Sequence, residues 1–285
     1  MPDFMIIGAM KCATSSLYEQ LALQPGIRLS SPKEPNFFSN DEIFEHGIAW
    51  YKSLFGMPER MHLTGEASTH YTKLPTYRNT VERIHRYVPD TKLIYVMRHP
   101  VDRLVSQYMH EWSQNKIRCG ISDALLQYPE LIDYSRYHYQ LLPYFNYFEQ
   151  DKILPVFFER MLAFPQLELE RVCAFIGYQG MPTWHEIAPQ NVSKERVRRF
   201  AGYELLVENQ AMQWLRRVFI PQSFRNAVKS SLSMRQRPEL NAEDIKMLER
   251  VFDEDLAMLG EKLDTHLSCK NFKEIVKSDV LDWKR

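Results

Sequence analysis

The sequence predicts an α/β fold: a central parallel sheet flanked by helices, with a helical C-terminal part. Three observations predict it. Short apolar runs that end in a loop occur three times, and each is followed by apolar residues at helical spacing. Parallel neighbours can be joined only through a crossover, and a helix is the usual crossover. Beyond about residue 194 the strand signals fade and helical periodicity takes over.

The first run, Phe4 to Ile7, ends at Gly8 and has the unbroken apolar character of a strand buried on both faces. After a loop, Thr14 or Ser15 is placed to cap a helix carrying Leu17, Leu21 and Leu23, which stops at Pro25 and Gly26. The second run, Lys92 to Met97, leads through Arg98, His99 and Pro100 into a helix from Val101 to Tyr108; Pro100 near its first turn lacks only an N–H that a helix start leaves unpaired. The third, Ile153 to Phe158, precedes Leu167, Leu169, Val172, Phe175 and Ile176 at helical spacing, closed by Gly177. Behind Asn241 as a cap, Ile245, Leu248, Phe252, Leu256, Leu259 and Leu263 predict a long helix packed on the rest. No repeat or linker divides the chain, so residues 1–285 are expected to form one domain.

Composition bounds the partners. With 45% hydrophobic and 25% charged residues the chain reads as an ordinary globular protein. Lys plus Arg equal Asp plus Glu at 36 each, so no global field draws it to nucleic acid or an anionic membrane, and any anion site is local. Cys12, Cys119, Cys173 and Cys269 are scattered without a CxxC pair, which argues against a disulfide framework and a zinc site. Neither a signal-peptide pattern nor a long apolar span is present. The expectation is a cytoplasmic protein with no stable membrane insertion.

Three clusters carry chemistry. In the first loop, Gly8 allows a sharp turn, the following helix start offers unpaired N–H groups and a positive dipole end, and Lys11 adds a full charge. A nucleoside-triphosphate loop reads GxxxxGK[ST]; here Lys11 precedes Thr14 by three positions and the second glycine is missing, which disfavours ATP. In the second cluster Arg98 follows a strand at the edge where open α/β sheets bind ligands, and Ser106 lies on the next helix. A guanidinium fork and a hydroxyl suit a phosphate monoester, whereas a structural ion pair and a surface serine are the bland alternative. The third is SPKEPNFF, in which Pro32 and Pro35 bracket Lys33 and Glu34 in an extended loop. Glu34 there suits a general base; a surface Lys33–Glu34 ion pair is the alternative. His70, His99 and His110 lack ligand spacing, and the aromatic stretch from Tyr134 to Phe148 reads as core more than as an acceptor wall.

Taken in order, IIGAMKCATSSLYEQL, SPKEPNFFS, TGEASTHY and KLIYVMRHPVDRLVSQY resemble the sulfotransferases that use 3′-phosphoadenosine 5′-phosphosulfate, nearest the heparan-sulfate N- and O-sulfotransferase group and its bacterial relatives. The resemblance is strong over the first 110 residues and looser beyond. It implies a P-loop-NTPase-like sulfotransferase fold, no metal requirement, and a saccharide or small-molecule acceptor. By position it implies that the segment Lys11, Cys12, Ala13, Thr14, Ser15 and Ser16 grips the 5′-phosphosulfate, with Lys11 at the leaving oxygen. Arg98 and Ser106 would bind the 3′-phosphate, Glu34 would be the base, and Glu66, Ser68 and His70 would line a second active-site segment. Arg235 and Arg237 would belong to a loop closing over the 3′-phosphate. Two departures stand out. Ala13 replaces a usual glycine, so φ there stays negative or the loop is reshaped. Ala67 replaces a lysine common after the matched glutamate, a role that then falls to Lys33. The rival readings are a P-loop nucleotide kinase or ATPase, and a non-catalytic module of the same fold that binds glycans or protein.

Overall fold

The computed structural model describes residues 1–56, 62–186, 196–197, 233–234 and 236–284. Strand β1 (Phe4–Gly8) is followed by helix α1 (Thr14–Ala22), β2 (Ile27–Leu29), the short α2 (Asp41–Phe44), α3 (Gly47–Ser53) and β3 (Leu63–Ala67). A 3₁₀ turn (Thr69–Thr72) leads to α4 (Thr80–Tyr87), β4 (Lys92–Met97), α5 (Pro100–Ser113), α6 (Ile121–Gln127), α7 (Glu130–Asp133) and α8 (Tyr137–Tyr147). Then come β5 (Ile153–Phe157), α9 (Phe158–Ala163), α10 (Pro165–Ile176), the two-residue strands β6 (Arg196–Val197) and β7 (Ser233–Met234), and finally α11 (Ala242–Lys262) and α12 (Phe272–Ser278).

Five strands form one all-parallel sheet in the order β2-β3-β1-β4-β5. The chain starts in the middle, steps to one edge, returns and then builds the other side. The carboxyl ends of β1, β3 and β4 thus meet at a topological switch point, where open sheets bind ligands. The predicted strands at β1, β4 and β5 are present, as is the Asn241 cap, whose side chain accepts from the Asp244 N–H. The fold expected from the sequence is the fold observed. Strands β2 and β3, which no apolar run announces, complete the sheet.

Every residue of β1 and β5, and of β4 beyond Lys92, is buried, as helices on both faces require. At Gly65 on β3 an added Cβ would lie 2.3 Å from the Phe4 ring, so this glycine lets two neighbouring strands seat an aromatic between them. The C-terminal helices share the hydrophobic core: Leu248, Phe252, Leu256, Leu259, Phe272 and Val276 are buried in one cluster with the sheet. Ile245, expected on the same face, is more than one-third exposed. Polar contacts fix this packing. Asp255 accepts the N–H groups of His138 (2.9 Å) and Tyr139 (3.0 Å) and so caps α8 from another helix. The indole of Trp283 donates to the carbonyl of Ile153 at 2.7 Å. No helix among the described residues is long and apolar enough to cross a membrane.

Candidate active site

The loop between β1 and α1 is tightly wound. Lys11 (φ 73°) and Ala13 (φ 63°) both adopt left-handed backbone, so the missing glycine leaves a strained alanine in the conformation that glycine would relieve. Ala13 itself occupies the cap position of α1, without a side-chain cap; the expected capping by Thr14 or Ser15 is corrected, because both residues lie inside the first turn. The helix therefore opens with its first N–H groups available to a ligand rather than to its own side chains. Ala13→Gly is expected to raise stability by about 1 kcal/mol, the left-handed cost removed less the added freedom of the unfolded chain. Thermal unfolding should show it as a rise of about 2 °C.

Cys12 departs from the expected ligand set. Its N–H is spent inside the loop on the Ala9 carbonyl at 3.2 Å. Its thiol is wholly buried 3.8 Å from the Tyr137 hydroxyl, and burial pushes it up to about 12. It is a packing residue that anchors the loop from beneath. Arg103 anchors it from α5: fully buried, it donates to the Met10 carbonyl at 3.3 Å, to Ser135 Oγ at 2.7 Å and to Gln107 Oε1. Nothing in the sequence marks Arg103, since a cation in an amphipathic helix reads as a solvated face. Thr14 is buried, and Ser15 and Ser16 are half-buried on the first turn of α1.

Lys33 and Glu34 reach this loop from the end of β2. Lys33 Nζ donates to Ser15 Oγ at 2.5 Å and lies 3.8 Å from Glu34 Oε1. Burial pushes the Lys33 ammonium below its usual range, against the opposing pull of Glu34. The surface ion pair weighed from the sequence is thus a partly buried pair tied to the anion loop. Glu34 has positive φ (56°), its N–H donates to the Ala67 carbonyl (3.0 Å), and Thr69 Oγ1 donates to its Oε2 (3.2 Å).

Arg98 stands at the end of β4. Its guanidinium lies over the Phe158 ring (4.6 Å) and donates to the Lys11 carbonyl (3.5 Å), while its buried Nε has no partner. Its main chain is clasped by Tyr137, whose hydroxyl donates to the Arg98 carbonyl (2.5 Å) and accepts its N–H (3.1 Å). His99 shapes the same corner: its N–H donates to Glu159 Oε1 (2.9 Å) and its ring Nε2 meets the Cys269 carbonyl (2.9 Å). Ser106 is nearly buried in the second turn of α5.

Glu66 and Ser68 are fully buried beneath the Glu34 loop. Glu66 is fully buried and accepts from Tyr51 (2.5 Å), Tyr71 (2.9 Å) and Ser68 (2.8 Å); burial pushes it up to about 7. His70 stacks on Tyr77 at 4.9 Å, and burial lowers it to about 4, so it is a neutral ring at neutral pH. Arg237 pairs with Asp102 Oδ1 at 2.7 Å at the start of α5, and Arg235 lies outside the described residues. In the aromatic stretch Tyr134, Tyr137, Tyr144 and Phe148 are core, and Tyr147 is exposed.

Lys73 belongs to the same region, though no motif marks it. It is the buried lysine among the described residues, with its ammonium 5.8 Å from the centre of the Tyr134 ring. Burial lowers it to about 8, and Glu34 is the strongest charge opposing that shift. It sits in a polar run outside every motif read from the sequence.

Residues 54–183 match the model of a family described as the sulfotransferase family. Human heparan sulfate glucosamine 3-O-sulfotransferase 6 is 34% identical over 194 residues, covering 64% of this chain and 54% of that protein. Membrane-associated sulfotransferase kil1 of Dictyostelium discoideum is 36% identical over 111 residues, 38% of this chain and 22% of that one. The chain spans about half the length of the 3-O-sulfotransferases it matches. Among solved structures, a sulfotransferase from Alicyclobacillus acidocaldarius superposes with a TM-score of 0.57 at 26% identity, covering 76% of this chain and 99% of that one. Mouse sulfotransferase SULT7A1, solved with PAP, shares the fold at a TM-score of 0.50 and 16% identity over 96% of this chain and 88% of its own. In its matched segment and in its fold the chain is similar to sulfotransferases.

Proposed function

We propose that the protein transfers a sulfuryl group from 3′-phosphoadenosine 5′-phosphosulfate to a hydroxyl or amine, with a saccharide the favoured acceptor. One observation carries the reading: Lys33 joins Ser15 of the anion loop to Glu34, while Arg98 reaches the same loop from β4. A carboxylate, through Lys33, and a guanidinium thus meet the same anion loop. The residues fit the donor at both ends. The uncapped start of α1 with Lys11, Thr14, Ser15 and Ser16 suits the phosphosulfate, and Arg98, whose Nε lacks a partner, suits the 3′-phosphate with Ser106. The donor brings an activated sulfur bonded to a good leaving phosphate. Glu34 removes the acceptor's proton, Lys11 neutralises charge on the leaving oxygen, and Lys33 holds Ser15 and Glu34 in register. Lys73, near Glu34, supplies positive charge on the acceptor side where Ala67 supplies none. The PAP found with SULT7A1 accords with this donor.

Labelled donor incubated with a panel of saccharide, phenol and peptide-tyrosine acceptors tests the reading; label transferred to none of them would overturn it. Arg98→Met is expected to weaken adenosine 3′,5′-bisphosphate by about 100-fold and adenosine 5′-phosphate by far less, measured by calorimetry, because only the former presents the 3′-phosphate. Tight binding of ATP with magnesium in preference to the bisphosphate would favour a nucleotide kinase instead.

A further inference from the structure

Three peptide N–H groups of the loop after β2 point at β3 and the turn that follows it. Glu34 donates to the Ala67 carbonyl at 3.0 Å, Asn36 to Ser68 Oγ at 3.1 Å and Phe38 to the Tyr71 hydroxyl at 3.5 Å. The first acceptor is backbone, but the other two are hydroxyls, each of which can either donate or accept. Both hydroxyls give their hydrogen to the same carboxylate: Ser68 to Glu66 Oε2 at 2.8 Å and Tyr71 to Glu66 Oε1 at 2.9 Å. Tyr51 donates to Oε1 as well, at 2.5 Å. When Glu66 is ionised and their hydrogens are turned toward it, Ser68 and Tyr71 can present only lone pairs to the loop.

We infer that Glu66 is a positioning residue that holds the Glu34 loop in its working geometry by fixing the hydroxyl orientation of Ser68 and Tyr71. The assignment of work to Glu34 rests on the function proposed above; the clamp itself does not. A buried carboxylate with three hydroxyl donors has no ion-pair partner among the described residues, and a core strand would be better served by an apolar side chain if packing were its whole task. The loop needs such a hold, because Glu34 (φ 56°) and Asn36 (φ 52°) both carry left-handed backbone that a free loop would abandon. The Phe37 ring stacked on Tyr51 at 4.7 Å places the same tyrosine against the loop and against Glu66. Arg98 makes none of the clamp's hydrogen bonds, and Lys33 links the Glu34 loop to Ser15 of the anion loop, so the clamp is expected to move turnover more than donor affinity.

The test compares Glu66→Gln, Ser68→Ala, their double variant, and Ser68→Thr, which keeps the hydroxyl. Hydrogen exchange is read at the Asn36 and Phe38 amides, affinity for adenosine 3′,5′-bisphosphate by calorimetry, and turnover with labelled donor. Glu66→Gln is expected to speed exchange at the Asn36 or the Phe38 amide at least tenfold, since the glutamine NH2 donates where one carboxylate oxygen accepts and turns the hydroxyl on that side around. Turnover should drop about 30-fold with bisphosphate affinity kept within about twofold. Ser68→Ala should reproduce the effect at Asn36, the double variant should add little to the singles, and Ser68→Thr should restore protection. If Glu66→Gln does not fold, Ser68→Ala and Tyr71→Phe read the same two contacts one at a time. Unchanged protection at both amides in folded variants, or additive effects in the double variant, overturns the clamp. Absence of sulfuryl transfer in the unmutated protein would overturn the proposed function alone, because the exchange data judge the clamp without it.

Discussion

Glu34→Gln is expected to lower sulfuryl transfer by about two orders of magnitude and to leave adenosine 3′,5′-bisphosphate affinity within about threefold. The amide keeps the size of the carboxyl and can still accept from Thr69 Oγ1, so the loop retains its hold, but it cannot take a proton from an acceptor. Loss of a positioned base without loss of donor contacts should appear in kcat rather than in donor binding. Labelled-donor kinetics at saturating donor and a calorimetric titration of the bisphosphate separate the two. Unaltered turnover would remove Glu34 from the chemistry.

The second large effect falls on the anion loop. At Gly8 an added Cβ would lie 1.9 Å from Thr72 Oγ1 and 3.0 Å from the Tyr95 ring, and φ is 154°, on the edge of the region that favours glycine. Thr72 cannot swing away freely, because its hydroxyl donates to the Ile7 carbonyl at 2.8 Å in the core. Gly8→Ala is expected to cost about 3 kcal/mol of stability, from overpacking and the loss of that buried hydrogen bond. Denaturant unfolding should show it as a lowered midpoint at unchanged slope, and bisphosphate binding should weaken at temperatures where the fold persists. A neutral variant would mean that the turn after β1 tolerates a side chain.

Legibility in the sequence followed burial chemistry. Strands β1, β4 and β5 are apolar on both faces, and the Asn241 cap and Gly177 stop are local signals, so these elements were readable without tertiary knowledge. Strand β2 is three residues long, and β3 carries Thr64, Gly65 and Glu66, whose polarity and small size make sense only once Phe4 and the tyrosines around Glu66 are in place. The site divides the same way. Lys11, Lys33, Glu34 and Arg98 sit in motifs, and the structure gathers them. Arg103 and Lys73 are cations buried by neighbours far along the chain, and no window of sequence contains the reason. The Cys12 thiol turns into the core beside Tyr137, a direction that position in a phosphate loop does not reveal.

Asp255 gives the C-terminal region a mechanical part. By taking the first free amides of α8 it fixes where that helix begins, and Tyr137, the first residue of α8, clasps Arg98 through both its peptide groups. A helix more than a hundred residues downstream therefore sets the bearing of the guanidinium at the end of β4. Burial holds the Asp255 carboxyl near 6, well above the usual aspartate range, so this distant brace is a hydrogen-bonded strut whose charge state lies within reach of mild acidity. The end of the chain serves as scaffolding for its beginning.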